Sequence, residues 1–175
     1  MKGNTLNGKY CYDVSCVIDF LADLPFVDPN KIGIMGHSLG GQMAIWAGVM
    51  DARLKVVVSS CGFSTLQAIQ QKHQNHNFAL YLPGFLSREG KKEGSRDWDI
   101  EDVLGVWAPR PLVLYAGALD DIFPIEGVAE AFVWVSDIYR AMRAEDKLEV
   151  MLGETGHGLP ICAKEKIFAF LIKYL

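Results

Sequence analysis

The sequence lacks any apolar run long enough to cross a bilayer, which excludes a membrane-spanning helix and gives no reason to expect a membrane partner. It also lacks a basic excess. Lys and Arg number 17 against 21 Asp and Glu, for a net charge of -4. That balance leaves no electrostatic footprint for nucleic acid. Cysteine is scarce, and Cys11, Cys16, Cys61 and Cys162 form neither a C-x-x-C pair nor a zinc spacing. They read as small buried hydrophobes, with no disulfide expected. His73 and His76 could share one face of a helix, but no carboxylate or cysteine is spaced to complete a ligand set, so no metal is expected. No internal repeat is present. Met1-Lys2-Gly3-Asn4 does not open a signal peptide. The default expectation is a cytoplasmic chain, with localisation unknown because a signal segment would precede Met1 in a longer product.

What is present is 50% hydrophobic residues in a chain of 175, enough for one packed domain. Residues 1 to 8 are polar and glycine-rich and read as loop. Tyr10 to Leu24 places Val14, Val17, Ile18 and Leu21 on one helical face, and Pro25 closes it. Apolar runs without alternation follow at 31–35, 54–60, 111–116 and 147–152, as in strands covered on both faces. Helices are expected at 42–50, at 125–143 with Val128, Phe132, Val135, Tyr139 and Met142 on one side, and at 162–175 with Ala163, Ile167, Phe170, Leu171 and Tyr174 buried. Pro124 is placed at the first position of the second of these. Strands alternating with helices predict an α/β fold with a parallel sheet. The span 62–110 breaks this rhythm and reads as a lid-like excursion. Its stretch 87–102 is highly charged and expected to be exposed. Its aromatics, among them Tyr81, Phe85, Trp98 and Trp107, are candidates to line a substrate pocket.

The strand at 31–35 runs into Gly36-His37-Ser38-Leu39-Gly40-Gly41 and then directly into a helix. That is the strand, sharp turn and helix context of a G-x-S-x-G nucleophile elbow. Gly36 and Gly40 are expected where a Cβ would clash, and Gly41 where the helix approaches the strand. His37 is the variable position of the motif and is expected to pack beside the site. A serine hydroxyl becomes an effective nucleophile when a base takes its proton and a carboxylate orients that base. In a parallel sheet such groups gather on loops at the carboxyl ends of the strands. The loop after 111–116 offers Asp120, with Asp121 as the runner-up; the G-x-x-D spacing from Gly117 favours Asp120. The loop after 147–152 offers His157.

The order Ser38, Asp120, His157 is that of the α/β-hydrolases. The stretches V-D-P-N-K-I-G-I-M-G-H-S-L-G-G, A-P-R-P-L-V-L-Y-A-G-A-L-D-D-I-F-P-I and E-T-G-H-G most resemble the dienelactone hydrolase and acetyl-xylan-esterase-like branch of that superfamily. The resemblance implies a three-layer fold of which this chain carries about four parallel strands. It implies Ser38 as nucleophile, Asp120 as acid, His157 as base and the Leu39 amide as one oxyanion donor. It also implies a small-molecule ester substrate and no cofactor. It covers the last half of the family domain. The N-terminal strands and the loop bearing the second oxyanion amide have no counterpart before Tyr10, so a truncated or degenerate short form is expected. Two alternatives stand beside the esterase reading: a prolyl-oligopeptidase-type peptidase, which shares the motif and the triad order, and a non-catalytic fragment. With the elbow strand first in the chain, only the strand at 54–60 can pair with it, and self-association through its open side is expected.

Overall fold

The computed structural model describes residues 5–72 and 98–175. The chain enters helix α1 (Leu6–Ala22) earlier than the glycine-rich composition of its start suggests. The reason is local: Thr5 precedes the helix in extended conformation, and its hydroxyl accepts the Gly8 amide at 2.9 Å. Ile18 is buried and Val14 and Leu21 are partly buried against the same core, whereas Val17 faces solvent. Arg53 pins α1 to the chain beyond the next helix. Its guanidinium donates to Asp51 at 2.6 Å, to Asp19, and to the Ser15 carbonyl and hydroxyl. The Arg53 hydrogen bond holds the Asp51 carboxyl well below the usual carboxylate range.

Four parallel strands follow, β1 (Ile34–His37), β2 (Val57–Ser60), β3 (Leu112–Gly117) and β4 (Leu148–Gly153), in the order β1-β2-β3-β4. Ile34 registers with Val57, Val57 with Leu112, and Leu112 with Leu148. The strands start one to three residues later than the apolar runs suggest, and all but β2, which ends at Ser60 as expected, also end one or two residues later. The connections carry α2 (Leu39–Met50), α3 (Leu66–Lys72), α4 (Ile100–Trp107) and α5 (Ile125–Ala141), and α6 (Ile161–Tyr174) closes the chain.

The strands do not alternate in polarity because both faces are covered. In β3, Leu112, Leu114 and Ala116 join a core with Ala44, Leu104, Val128 and Val135, while Val113 and Tyr115 pack with Ala163, Ile167 and Phe170 of α6. On α6, Leu171 and Tyr174 are partly buried against this second core. On α5, Val128, Val135 and Tyr139 are buried and Phe132 packs beside them, but Met142 lies past the helix end and is exposed. Pro124 caps α5 rather than opening it.

Both described ends of the 62–110 excursion belong to the core. Phe63, Leu66, Ile69, Ile100 and Leu104 are buried. The Asp99 carboxylate binds the starts of two helices at once, accepting from Leu66 N at 2.7 Å, Gln67 N at 3.3 Å and Ile100 N at 2.6 Å. In the stretch 87–102, expected to be exposed, Asp99 and Glu101 are buried and Asp102 is exposed, and residues 87–97 lie outside the described residues. Trp107 is also a correction. It is 1% exposed, packs beside Gly48, and donates its indole N–H to the Pro111 carbonyl at 3.0 Å, so it is a core residue and lines no pocket. Trp98 packs edge-on against Trp46. Tyr81, Phe85, His73 and His76 lie outside the described residues. Of the cysteines only Cys61 is buried; Cys16 and Cys162 are exposed, and all four are free thiols. No helix among the described residues is long and apolar enough to cross a membrane.

Candidate active site

The elbow departs from ordinary backbone at one residue. Ser38 has φ 57 and ψ −125, a left-handed φ that costs a non-glycine residue strain. It heads α2 without using its hydroxyl as a cap. Its amide donates to the Ser60 carbonyl at 2.8 Å, and its carbonyl accepts from Gln42 N at 3.0 Å, so the turn is fixed from both sides. Leu39 is the first residue of α2. An amide at that position has no acceptor within the helix.

The elbow glycines divide the steric work unequally. A Cβ on Gly36 would fall on the Gly40 carbonyl, and one on Gly41 would meet Ser59 Oγ at 2.9 Å and the Ser60 carbonyl at 3.0 Å. A Cβ on Gly40 would meet nothing within 4 Å. Gly40 is thus the backbone that Gly36 makes room for, and its own hydrogen is not needed for space.

The loops after β3 and β4 are laced together. Ala118 N donates to the Gly153 carbonyl at 2.8 Å and Leu119 N to the Thr155 carbonyl at 2.9 Å. Gly117 allows this approach, because a Cβ there would run into the carbonyls of Thr155 and Gly156. Tyr115 OH and Thr155 Oγ1 lie 2.8 Å apart beneath the second loop. The lacing brings His157 Nδ1 to 2.8 Å from Asp120 Oδ2. Asp120 Oδ1 accepts from Ile122 N at 2.8 Å and Phe123 N at 3.1 Å. Burial alone would push the Asp120 carboxyl up, but the His157 bond and the two amides outweigh it and hold it below the usual range. Asp121, the adjacent acid, is exposed.

His37 links the elbow to this pair. Its ring centroid lies 4.9 Å from that of His157, and its Nδ1 lies 3.0 Å from Ser60 Oγ. His37 is exposed at the strand end, and partial desolvation, then the neighbouring His157, lowers its pKa, with Asp120 opposing. Phe123 stacks on His157 at 5.8 Å and 13°. Ser60, Phe123, Tyr115 and Thr155 were not legible as site residues, since each acts through a contact across the sheet that carries no sequence spacing.

Cys61 Sγ, Asp120 and His157 place ligand atoms within 4.8 Å of one another. They could hold a thiophilic ion only if the Asp120–His157 bond gave way. Burial also pushes the Cys61 thiol up, away from the thiolate a metal would need.

A sequence model of the prolyl oligopeptidase family matches residues 2–175. The chain belongs to the prolyl oligopeptidase family. Among curated proteins it is 27% identical to YtaP of Bacillus subtilis over all of this chain and 56% of that protein. It is 22% identical to the carbohydrate esterase MZ0003, from an unknown prokaryotic organism, over 76% of this chain and 32% of that protein. Among solved structures, a glucuronoyl esterase from Solibacter usitatus superposes with a TM-score of 0.80 at 19% identity, covering 98% of this chain and 51% of that one. A carbohydrate esterase family 15 glucuronoyl esterase from Caldicellulosiruptor kristjansonii superposes with a TM-score of 0.80 at 20% identity, with the same coverage. The prolyl oligopeptidase family chain thus has the α/β-hydrolase fold over part of that fold's extent. It spans about half the length of the first relatives it matches.

Proposed function

We propose that this chain carries the catalytic triad of a serine hydrolase that cleaves carboxylic esters through an acyl-enzyme. The observation that carries the reading is the 2.8 Å His157–Asp120 pair set beside the strained Ser38 elbow through the His37 ring. In this reading Ser38 Oγ attacks the ester carbonyl while His157 takes its proton and then delivers it to the departing alkoxide. Water enters by the same route and releases the acid. Asp120 fixes the tautomer in which Nδ1 carries the proton, leaving Nε2 as the base, and it steadies the imidazolium that forms. The Leu39 amide, at the start of α2, is one oxyanion donor. No step calls for a metal or organic cofactor.

Glucuronoyl and carbohydrate esterases among the similar proteins support an ester substrate for this chain. The prolyl oligopeptidase family match favours a second reading, hydrolysis of a peptide amide by the same triad. Side-by-side turnover of short-chain p-nitrophenyl esters and proline-containing peptide amides separates them. Faster ester cleavage is expected, and faster amide cleavage would replace the first reading by the second.

A further inference from the structure

The histidine loop gives its own side chain little support. His157 is flanked by Gly156 and Gly158; the Gly158 carbonyl accepts long bonds from Thr155 Oγ1 at 3.5 Å and Cys61 Sγ at 3.9 Å, which hold the loop backbone but not the imidazole, and a Cβ at Gly158 would touch nothing described within 4 Å. One hydrogen bond to Asp120 does not fix an imidazole. The ring can still pivot about it, and a pivoted ring misdirects Nε2. The orientation must come from side chains on other elements. Among the described residues two rings meet His157: Phe123, which arrives on the acid loop, and His37, which arrives on the nucleophile's own strand. His37 is itself held, through Nδ1, by Ser60 at the end of the neighbouring strand β2.

We propose that His37 is a positioning residue for His157: Ser60 anchors the His37 ring, and that ring sets the angle at which the His157 imidazole meets Asp120 and presents Nε2 for proton transfer. The proposal deepens the serine hydrolase reading and rests on it. It also explains why a neutral ring suits the position. The ionisable groups acting on His37 are His157, across the ring contact, and Asp120, behind it. A protonated His37 would oppose the imidazolium that forms on His157 during each proton transfer. Below the ordinary histidine range His37 takes up its proton and adds this repulsion.

Three variants test the proposal. His37→Gln keeps a hydrogen-bonding group without a ring, Ser60→Ala removes the anchor, and His37→Phe keeps an aromatic ring that Ser60 cannot hold. His37→Gln and Ser60→Ala are expected to lower kcat on p-nitrophenyl acetate about tenfold with little change in KM, the signature of misaligned chemistry. His37→Phe keeps a ring but loses the bond to Ser60, so its kcat is expected to fall with that of Ser60→Ala, and the acid limb of its kcat is expected to lose the His37 proton. A readout free of turnover is the His157 Nδ1–H proton resonance in a Ser38→Ala background, expected to broaden in His37→Gln, in Ser60→Ala and in His37→Phe. A His37→Gln protein whose kcat, KM and resonance all match wild type overturns the proposal. A wild-type protein that turns over no ester sinks the hydrolase reading instead, and the resonance then still reports whether His37 orients His157.

Discussion

Asp120→Asn is expected to lower kcat on an ester substrate by about 10⁴, with KM nearly unchanged. The size follows from what the carboxylate touches. Its Oδ2 holds the His157 Nδ1 proton at 2.8 Å, and its Oδ1 is fixed by two amides. An asparagine turned to keep Oδ1 on those amides would present its NH₂ to Nδ1. That reverses the tautomer and places a proton on the nitrogen that should act as base. The same substitution has a stability signature with a definite sign. The folded Asp120 pKa lies below its ordinary value, so its ionised form favours the fold. That contribution is fully present above about pH 4, the unfolded carboxylate range, and is lost as pH falls through the lower folded value. Thermal melts of wild type and Asp120→Asn should therefore differ most near neutrality and converge in acid. Equal kcat values for the two proteins would remove Asp120 from the mechanism.

A second large effect is expected in the association state. Strand β1 pairs with β2 on one side, and among the described residues no strand lies on its other side. Ile34 N and Ser38 N donate to the carbonyls of Val56 and Ser60, so the N–H groups of the alternate residues Met35 and His37 point to the open side. Met35 is 39% exposed there, and β1 itself carries no acidic residue, lysine or proline of the kind that blunts natural edges. We propose that the purified chain self-associates through this edge. Size-exclusion chromatography with light scattering should give a mass above that of one chain, and Met35→Lys should shift it toward one chain. A concentration-independent monomer that melts cooperatively would contradict the proposal.

The order of the elements was readable because each strand is a short apolar run ending in a turn and each long helix has one apolar face. The positions of Ser38, Asp120 and His157 at strand ends were readable for the same reason. The contact between Asp120 and His157 depends in addition on backbone lacing between the β3 and β4 loops at Gly117 and Thr155, which carries no sequence spacing. Trp107 shows the limit of residue type as a guide: the large ring suggested a pocket wall, but Gly48 opens a place for it inside the core. Gly40 shows the limit of motif reasoning, since the space the elbow needs is at Gly36. The early start of α1 turned on a single side-chain bond, Thr5 to Gly8, within a stretch whose composition suggests loop. The exposed Cys16 and Cys162 lie on helix faces that no other described element covers, so their apolar character did not fix their burial.

In the proposed mechanism Ser38 is a nucleophile activated by His157. The most direct measurement is incubation of the folded chain with a fluorophosphonate probe, followed by mapping of the adduct by peptide mass spectrometry. The expected result is a single adduct on Ser38, lost in Ser38→Ala and strongly slowed in Asp120→Asn. A folded protein, shown to be so by its circular dichroism and cooperative melt, that takes no label on Ser38 would contradict the account.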